Sequence, residues 1–345
     1  MNVFDEHETL KQLGEFGLIE RIAGLFEPAS DKEFTGIGDD CAVLRNDSGR
    51  STLITTDMLL QGRHFRREWS SANDLGYKSL AVNLSDISAM GGTPRYALLS
   101  IGLPLDIAPA WIDGFLNETR RLCETHGVKL IGGDTSKSGS LIISYTVLGF
   151  IEDKKILWRS SAKAGDKIGL IGKVGESGAG LRLLEGSHNK EIPTHRYLIE
   201  AHNRPRLYVD EARFLADSGF VHAMIDLSDG IQSDAGHIAK RSGVTLIIDT
   251  NLLPINDTLT DVCDTFSWSA EEIALTGGED YALMFTFDRE KENTLKNQIR
   301  ENFPDTGFTV IGEVKEGDGN ADVRFLKNGE TFELQQHGFD QFKTD

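Results

Sequence analysis

The stretch NDLGYKSLAVNLSDISA, residues 73–89, decides how the first half of the chain folds. Leu75, Leu80, Leu84 and Ile87 recur near one face at helical spacing, which predicts a helix from about Asn73 to Ala89. Outward from it, residues 41–45 and 52–57 on one side and Arg95–Leu103 on the other read as strands. Trp111–Thr125 reads as a helix, and Val128–Ile131 and Leu141–Ile151 as further strands. An opening helical segment places Phe16, Ile19, Ile22, Ala23 and Phe26 at the same periodicity. This half is therefore expected to be an α+β unit.

Asp153–Asp166 is charged, contains Lys163-Ala164-Gly165-Asp166, and separates two apolar patterns. It predicts a linker, so that residues 1–152 and 153–345 form two domains. Strands are expected beyond it at 167–171, 221–226, 244–249, 281–287 and 308–313, alternating with helices near 206–217, 231–241 and 289–302. GKVGESGAG (172–180) reads as a tight turn that lets a following helix pack on its strand. The second half is thus an α/β domain. With 345 residues and 39% hydrophobic content, the chain can bury two cores.

Acidic residues outnumber basic ones 54 to 36, a formal charge of −18. Such a surface repels nucleic-acid backbones and anionic membranes, while small phosphorylated ligands remain compatible because bound divalent cations reverse the field locally. Cys41, Cys123 and Cys263 are widely spaced, form no metal-binding pattern, and are expected to be reduced and buried. The opening residues MNVFDEHETL lack an apolar signal core, and no apolar stretch is long enough to span a bilayer. The expectation is a cytoplasmic protein without membrane or nucleic-acid partners.

Six short acidic motifs stand beside small residues: GIGDD (36–40), TTD (55–57), NLSD (83–86), GGDTS (132–136), DLSDG (226–230) and GGED (277–280). Carboxylates next to Gly, Ser and Thr suit hard cations and closely approaching phosphates, since small neighbours leave room and backbone N–H groups stay available. Asp86 falls near the C-terminal end of its helix, where the macrodipole disfavours a carboxylate; a bound cation or simple solvation would each offset that. Asp39 and Asp40 are adjacent; burying both without a cation would raise one pKa sharply, a penalty that a divalent ion or a simple exposed loop would each remove. Asp134 is expected to follow a strand ending at Ile131. Asp226 and Asp229 straddle Ser228 before a helix start that offers free N–H donors to a phosphate, or that one of them merely caps. There is no GxxxxGK[ST] loop, no GxGxxG in strand-turn-helix register, and no protein-kinase motif set.

The combination GIGDDCAV, TTDMLLQGRHF, LGYKSLAVNLSDISAMGGTP, LIGGDTS, IDLSDGI and LTGGEDYAL resembles the thiamine-monophosphate kinase family, in order and spacing, from about Gly14 to Phe342. That family is one of the ATP users similar to aminoimidazole ribonucleotide synthetase, with a two-domain PurM-like α+β protomer. The resemblance implies a homodimer joined through N-terminal domains that also bind ATP and Mg²⁺. It further implies direct in-line transfer from ATP to thiamine monophosphate, with several Mg²⁺ ions and no catalytic side chain beyond alignment and metal electrostatics. Carried over by position, metal ligands fall on Asp40, Thr55, Thr56, Asp57, Asp86, Asp134, Asp226 and Asp229. ATP contacts fall on Gly133, Asp134, Arg159 and Ser228. Substrate contacts fall on His64 and Glu279, with a further contact expected from the C-terminal segment 334–342, where Gln336 stands in place of the Trp of relatives and Phe339 supplies part of the stacking on the substrate. An acceptor other than thiamine monophosphate, used by the same ATP machinery, is the alternative reading.

Overall fold

A computed structural model describes residues 9–26, 31–317 and 321–334. After helix α1 (Leu10–Leu25), the first half contains strands β1 (Phe34–Thr35), β2 (Ala42–Arg45) and β3 (Arg50–Leu60), then helix α2 (Ala72–Ala89). Strand β4 (Thr93–Leu103), helix α3 (Pro109–His126), strand β5 (Lys129–Lys137) and strand β6 (Ile142–Glu152) complete it. The strands form one sheet in the order β1-β2-β3-β6-β4-β5, antiparallel except where β5 runs parallel to β4. Helices α2 and α3 lie on one face, and between them and the sheet sit Leu53, Leu80, Leu84, Ile87, Phe115 and Tyr145, all fully buried.

The opposite face of this sheet is different. Alternation along β3, β4 and β6 sends Met58, Tyr96, Leu148 and Phe150 to a face whose residues are only half-buried or exposed. At its edge, every residue of β5 is exposed, including Ile131 at 58%.

The second half comprises β7 (Lys167–Ile171), α4 (Glu176–Glu185), α5 (Pro193–Asn203), α6 (Val209–Ser218), β8 (Val221–Asp226), α7 (Ile231–Ser242) and β9 (Val244–Asp249). It continues with α8 (Asp257–Phe266), α9 (Ala270–Thr276), β10 (Leu283–Phe287), α10 (Glu292–Asn302), β11 (Phe308–Glu316), β12 (Asp322–Lys327) and β13 (Glu330–Thr331). Its sheet, ordered β13-β12-β9-β11-β7-β10-β8, is covered on both faces. Ile168, Leu170, Ile225, Leu246 and Met284 pack with Ile238 of α7 on one side; Ile171, Met224, Leu283, Phe285 and Phe287 pack with Leu215 of α6 and Leu295 of α10 on the other. Burial on both faces explains why these strands read as continuous apolar runs.

Helix α2 joins the halves. Thirteen of its 18 residues are buried, because the first sheet lies on one side and β8 and α6 on the other. Ser71 caps it by accepting the Asp74 N–H at 3.1 Å. The α+β expectation holds, and the helix predicted at 73–89 spans Ala72–Ala89. Several expectations are corrected. The strand expected to stop at Ile131 continues through GGDTS to Lys137, because the segment pairs with β4 over that whole length. The strand expected to end at Asp57 continues to Leu60, since β6 accompanies it throughout. GKVGES turns into α4 already at Glu176, and α5, α8, α9, β12 and β13 were not anticipated. The three cysteines are free and buried. Among the described residues, no helix is long and apolar enough to cross a membrane.

Gly76 marks the closest approach of α2 to α3: a Cβ there would lie 2.2 Å from the Phe115 carbonyl oxygen. Gly76→Ala gains about 1 kcal/mol of helix propensity but incurs overpacking of about 1–3 kcal/mol against rigid backbone. The urea unfolding midpoint should therefore fall; a raised midpoint would mean that the helices have room to spare.

Candidate active site

Three carboxylates meet at the seam between the two halves. Asp40 closes the GIGDD turn, Asp86 lies in the last turn of α2, and Asp226 ends β8; their ligand oxygens all lie within 4.8 Å of one another. Asp226 is 1% exposed, and the Asp40 side chain equally so. At an effective dielectric of 20, each pair of charges at this spacing repels by about 3–4 kcal/mol. Burial, reinforced by the Asp40 charge, pushes the Asp226 carboxyl up to about 8. Burial, with Asp57 and Asp226 beside it, likewise raises Asp86 well above the ordinary carboxylate range.

The surrounding contacts orient these groups without neutralising them all. Thr55 Oγ1 donates to Asp86 Oδ2 at 2.5 Å, and Ser85 Oγ donates to Asp226 Oδ2. Strand β3 pairs with β2 only as far as Ile54, so beyond that point the outward edge of β3 is open. There the Asp57 N–H donates to Asn83 Oδ1 of α2 at 2.9 Å. The Asp57 carboxyl is pushed up by burial to about 6. Arg159 closes one side: its Nε donates to Asp40 Oδ2 at 3.2 Å, a second guanidinium nitrogen pairs with Asp40 Oδ1, and its backbone N–H donates to Asp39 Oδ2 at 3.1 Å. Burial works against the charge on Arg159, but Asp40 and Asp39 hold it protonated.

Asp229 stands at the start of α7, where burial pushes its carboxyl up to about 7. Its backbone N–H donates to Asp234 Oδ2 at 3.2 Å. Asp234 is 2% exposed and was missed at sequence level; the available signal was an acidic residue in the first turn of a helix already flagged by DLSDG. The Ser228 carbonyl accepts the Glu279 N–H at 2.8 Å, and Leu227 accepts that of Tyr281 at 2.9 Å, so GGED folds back onto DLSDG. This turn places Glu279 at φ 67° and Tyr281 at φ 51°. Two L-residues in that region are rare, and strain of this kind persists only where the surroundings over-determine it.

Glu279 lies beside a second, chemically different group. Lys78 Nζ donates to Glu279 Oε2 at 2.9 Å and lies 3.4 Å from His202 Nε2, while His202 Nδ1 is 3.1 Å from Ser177 Oγ. Burial opposes ionisation of Glu279, yet Lys78 and the neighbouring imidazoles hold its carboxyl below the usual range. Burial drives His202 down to about 3. On the near wall, His64 Nδ1 accepts the Leu60 N–H at 3.0 Å, which makes Nε2 the protonated nitrogen of the neutral ring. Burial lowers the His64 pKa, against the pull of Glu279.

The structure thus brings together Asp40, Thr55, Asp57, Asp86, Arg159, Asp226, Ser228 and Asp229, with His64 and Glu279 adjoining. It does not bring Thr56, Gly133 or Asp134 to them. Thr56 alternates to the uncovered face, where its Oγ1 donates to the Tyr145 carbonyl at 2.9 Å. The register Asp57↔Tyr145, Tyr145↔Leu99, Leu99↔Gly133 sets Gly133 three strands from Asp57, about 14 Å away at ordinary strand spacing. Gly133 has φ 153°, and a Cβ there would meet the Leu99 carbonyl oxygen at 1.7 Å. Asp134, opposite Ser100, is exposed on this edge. Phe339 and Gln336 lie outside the described residues.

A buried set of oxygen donors with this much mutual repulsion fits divalent cations of the Mg²⁺ type, which take carboxylate, hydroxyl and water oxygens. Comparison with known proteins places the chain. Residues 38–151 match the family of the AIR synthase related protein, N-terminal domain, and residues 163–323 its C-terminal domain. Thiamine-monophosphate kinase of Aquifex aeolicus (strain VF5) is 36% identical over 310 residues, covering 90% of this chain and 94% of that protein. The Escherichia coli (strain K12) enzyme of the same name is 37% identical over 335 residues, covering 96% and 99%. A solved structure of AaThiL complexed with AMPPCP and TMP superimposes with a TM-score of 0.84 at 34% identity, covering 97% of this chain and 99% of that one. The hydrogenase maturation protein HypE in complex with ATP shares the fold at a TM-score of 0.68 and 17% identity, covering 92% and 90%. On these grounds the chain belongs to the thiamine-monophosphate kinase family.

Proposed function

We propose that this protein transfers the γ-phosphoryl group of ATP directly to the phosphate of thiamine monophosphate, giving ADP and thiamine diphosphate. The observation that carries the reading is the joining, at one seam, of a buried carboxylate cluster suited to cations with an anionic Glu279 suited to a cationic acceptor. Asp40, Thr55, Asp57, Asp86, Asp226 and Asp229 would hold Mg²⁺. When bound, Mg²⁺ offsets the charge of the two phosphorylated reactants and clamps them for displacement.

The chain's own groups do the rest by position. The acceptor oxygen is already ionised at neutral pH, so no side chain has to remove a proton, and alignment with charge stabilisation suffices. Ser228 and the start of α7 face the nucleotide phosphates, where a helix N-terminus favours negative charge. Arg159, locked by Asp40 and Asp39, adds a fixed positive charge. His64 presents an N–H to the acceptor, and Glu279 balances its thiazolium or accepts from its aminopyrimidine.

Thr56, Gly133 and Asp134 join the site in a homodimer. The uncovered face of the first sheet and the fully exposed β5 edge form a surface that a solitary protomer leaves unpaired, and exposed edges of this kind invite partner strands. Packing two such faces would bring the β5 of one copy toward the nucleotide of the other, with the N-terminal domains as dimerisation units. A cytoplasmic location accords with this chemistry.

ADP release should depend on thiamine monophosphate and on Mg²⁺. Asp57→Asn and Asp226→Asn should each lower kcat by about a hundredfold or more while the circular dichroism spectrum stays native; near-native turnover at limiting Mg²⁺ would remove them from the metal site. Light scattering should give twice the chain mass, and Met58→Glu, which places a charge on the uncovered face, should shift the population toward monomer with a parallel loss of turnover. A monomeric wild type of full activity would contradict the shared site.

A further inference from the structure

Lys78 is 2% exposed, in the middle of α2, and is the one basic residue among those buried in this helix. A buried ammonium is tolerated only with partners, and here the partners come from elements far apart in sequence. Glu279 lies on the strained turn after α9, and His202 lies on α5. Both contacts made to the Glu279 carboxylate fall on one oxygen: Lys78 Nζ at 2.9 Å and His202 Nδ1 at 3.3 Å both approach Oε2. Oε1 takes part in neither, and the side chain remains 26% exposed. The bonding pattern assigns the tautomer. Lys78 has only donors, so His202 Nε2 accepts from it and Nδ1–H points to Glu279 Oε2 and Ser177 Oγ. The next residue is fixed as firmly: Asp280 accepts the Gly175 N–H at 2.6 Å and the Ser177 N–H at 3.0 Å, anchoring the turn to the start of α4.

We propose that Lys78 is a positioning residue for acceptor recognition: with His202 it clamps one oxygen of Glu279 and presents the other as a fixed anion, so that the site favours acceptors carrying a heterocyclic cation near their phosphate. The inference rests on the reading that places Glu279 at the acceptor. Lys78 touches neither reactant; it acts through Glu279. A lysine that merely tied α2 to the second half would serve equally well with any acceptor, and this difference makes the role measurable.

The experiment is a double-mutant cycle of Lys78→Met and Glu279→Gln, assayed with thiamine monophosphate and with its neutral analogue, in which carbon replaces the charged ring nitrogen. Lys78→Met should raise KM for thiamine monophosphate about tenfold or more, leave kcat within about threefold, and leave the ATP dissociation constant unchanged. KM for the neutral analogue should hardly move, and the double variant should behave like Glu279→Gln alone. Should Lys78→Met fail to fold, Lys78→Gln, which keeps donors but removes the charge, carries the same expectation. Equal losses for both acceptors and for ATP, or additive effects in the double variant, would reduce Lys78 to a structural clamp and overturn the inference. If Glu279→Gln alone leaves KM for thiamine monophosphate unmoved, the acceptor reading of Glu279 fails first and the inference fails with it.

Discussion

Three carboxylates held within 4.8 Å of one another at a buried seam are the constraint around which the molecule is organised. Each comes from a different element: the turn before β2, the last turn of α2, and the end of β8. Fully ionised, carboxylates so placed would repel by several kcal/mol in total, a cost comparable with the whole stability of a domain, and without metal part of it is avoided by the protons that Asp226 and Asp86 retain. The fold sustains it by surrounding the cluster with a scaffold that cannot relax. Helix α2 is packed from both sides, Thr55 and Ser85 hold Asp86 and Asp226 by hydrogen bonds, and Arg159 supplies the compensating cation for Asp40. What remains uncompensated is the charge a divalent ion would neutralise.

The same helix separates two kinds of electrostatic chemistry. Its C-terminal end carries Asn83 and Asp86 to the acidic cluster, while Lys78, about two turns earlier, reaches Glu279. Excess negative charge on one side and a balanced ion pair on the other suit a reaction between a polyanionic donor and an acceptor that is anionic at its phosphate and cationic at its ring. The fold itself does not decide this. HypE shares the architecture at 17% identity, and function resides in the groups mounted on the common frame.

Much of that frame was legible in the sequence where burial imposes a simple pattern. The strands at 167–171, 221–226 and 244–249 were read at their observed limits because both sheet faces are buried there and the apolar runs end abruptly. The acidic motifs pointed to the cluster because carboxylates beside small residues have few other uses at the ends of apolar runs. Legibility failed where pairing with a distant strand, rather than local pattern, decides the structure. GGDTS looks like a loop by composition, yet β4 recruits it as an edge strand. Helices α8 and α9 are short; their cues were the caps, Asn256 accepting the Leu259 N–H and Ser269 that of Glu272. Thr56 shares a motif with Thr55 and Asp57, but strand alternation turns it to the other face. Lys78, His202 and Ser177 are separated by up to 124 residues in the chain, and no spacing rule could have joined them.

The central claim, that the seam is built to hold a divalent cation, can be tested through its protons. Burial raises the carboxyls of Asp57, Asp39, Asp229 and Asp226 to between about 6 and about 8, far above the value near 3.9 in an unfolded chain. Without metal, the folded state therefore retains protons that the unfolded state releases. The associated stability is fully present below about pH 4 and is lost as pH rises through the folded values. Urea unfolding at pH 5.5 and pH 8.5, in chelator and in saturating Mg²⁺, should show a metal-free protein that is weaker at pH 8.5 and a Mg²⁺ stabilisation that is larger at pH 8.5. A metal-free stability that does not fall with pH, together with a Mg²⁺ effect equal at both values, would contradict a cation site at this seam.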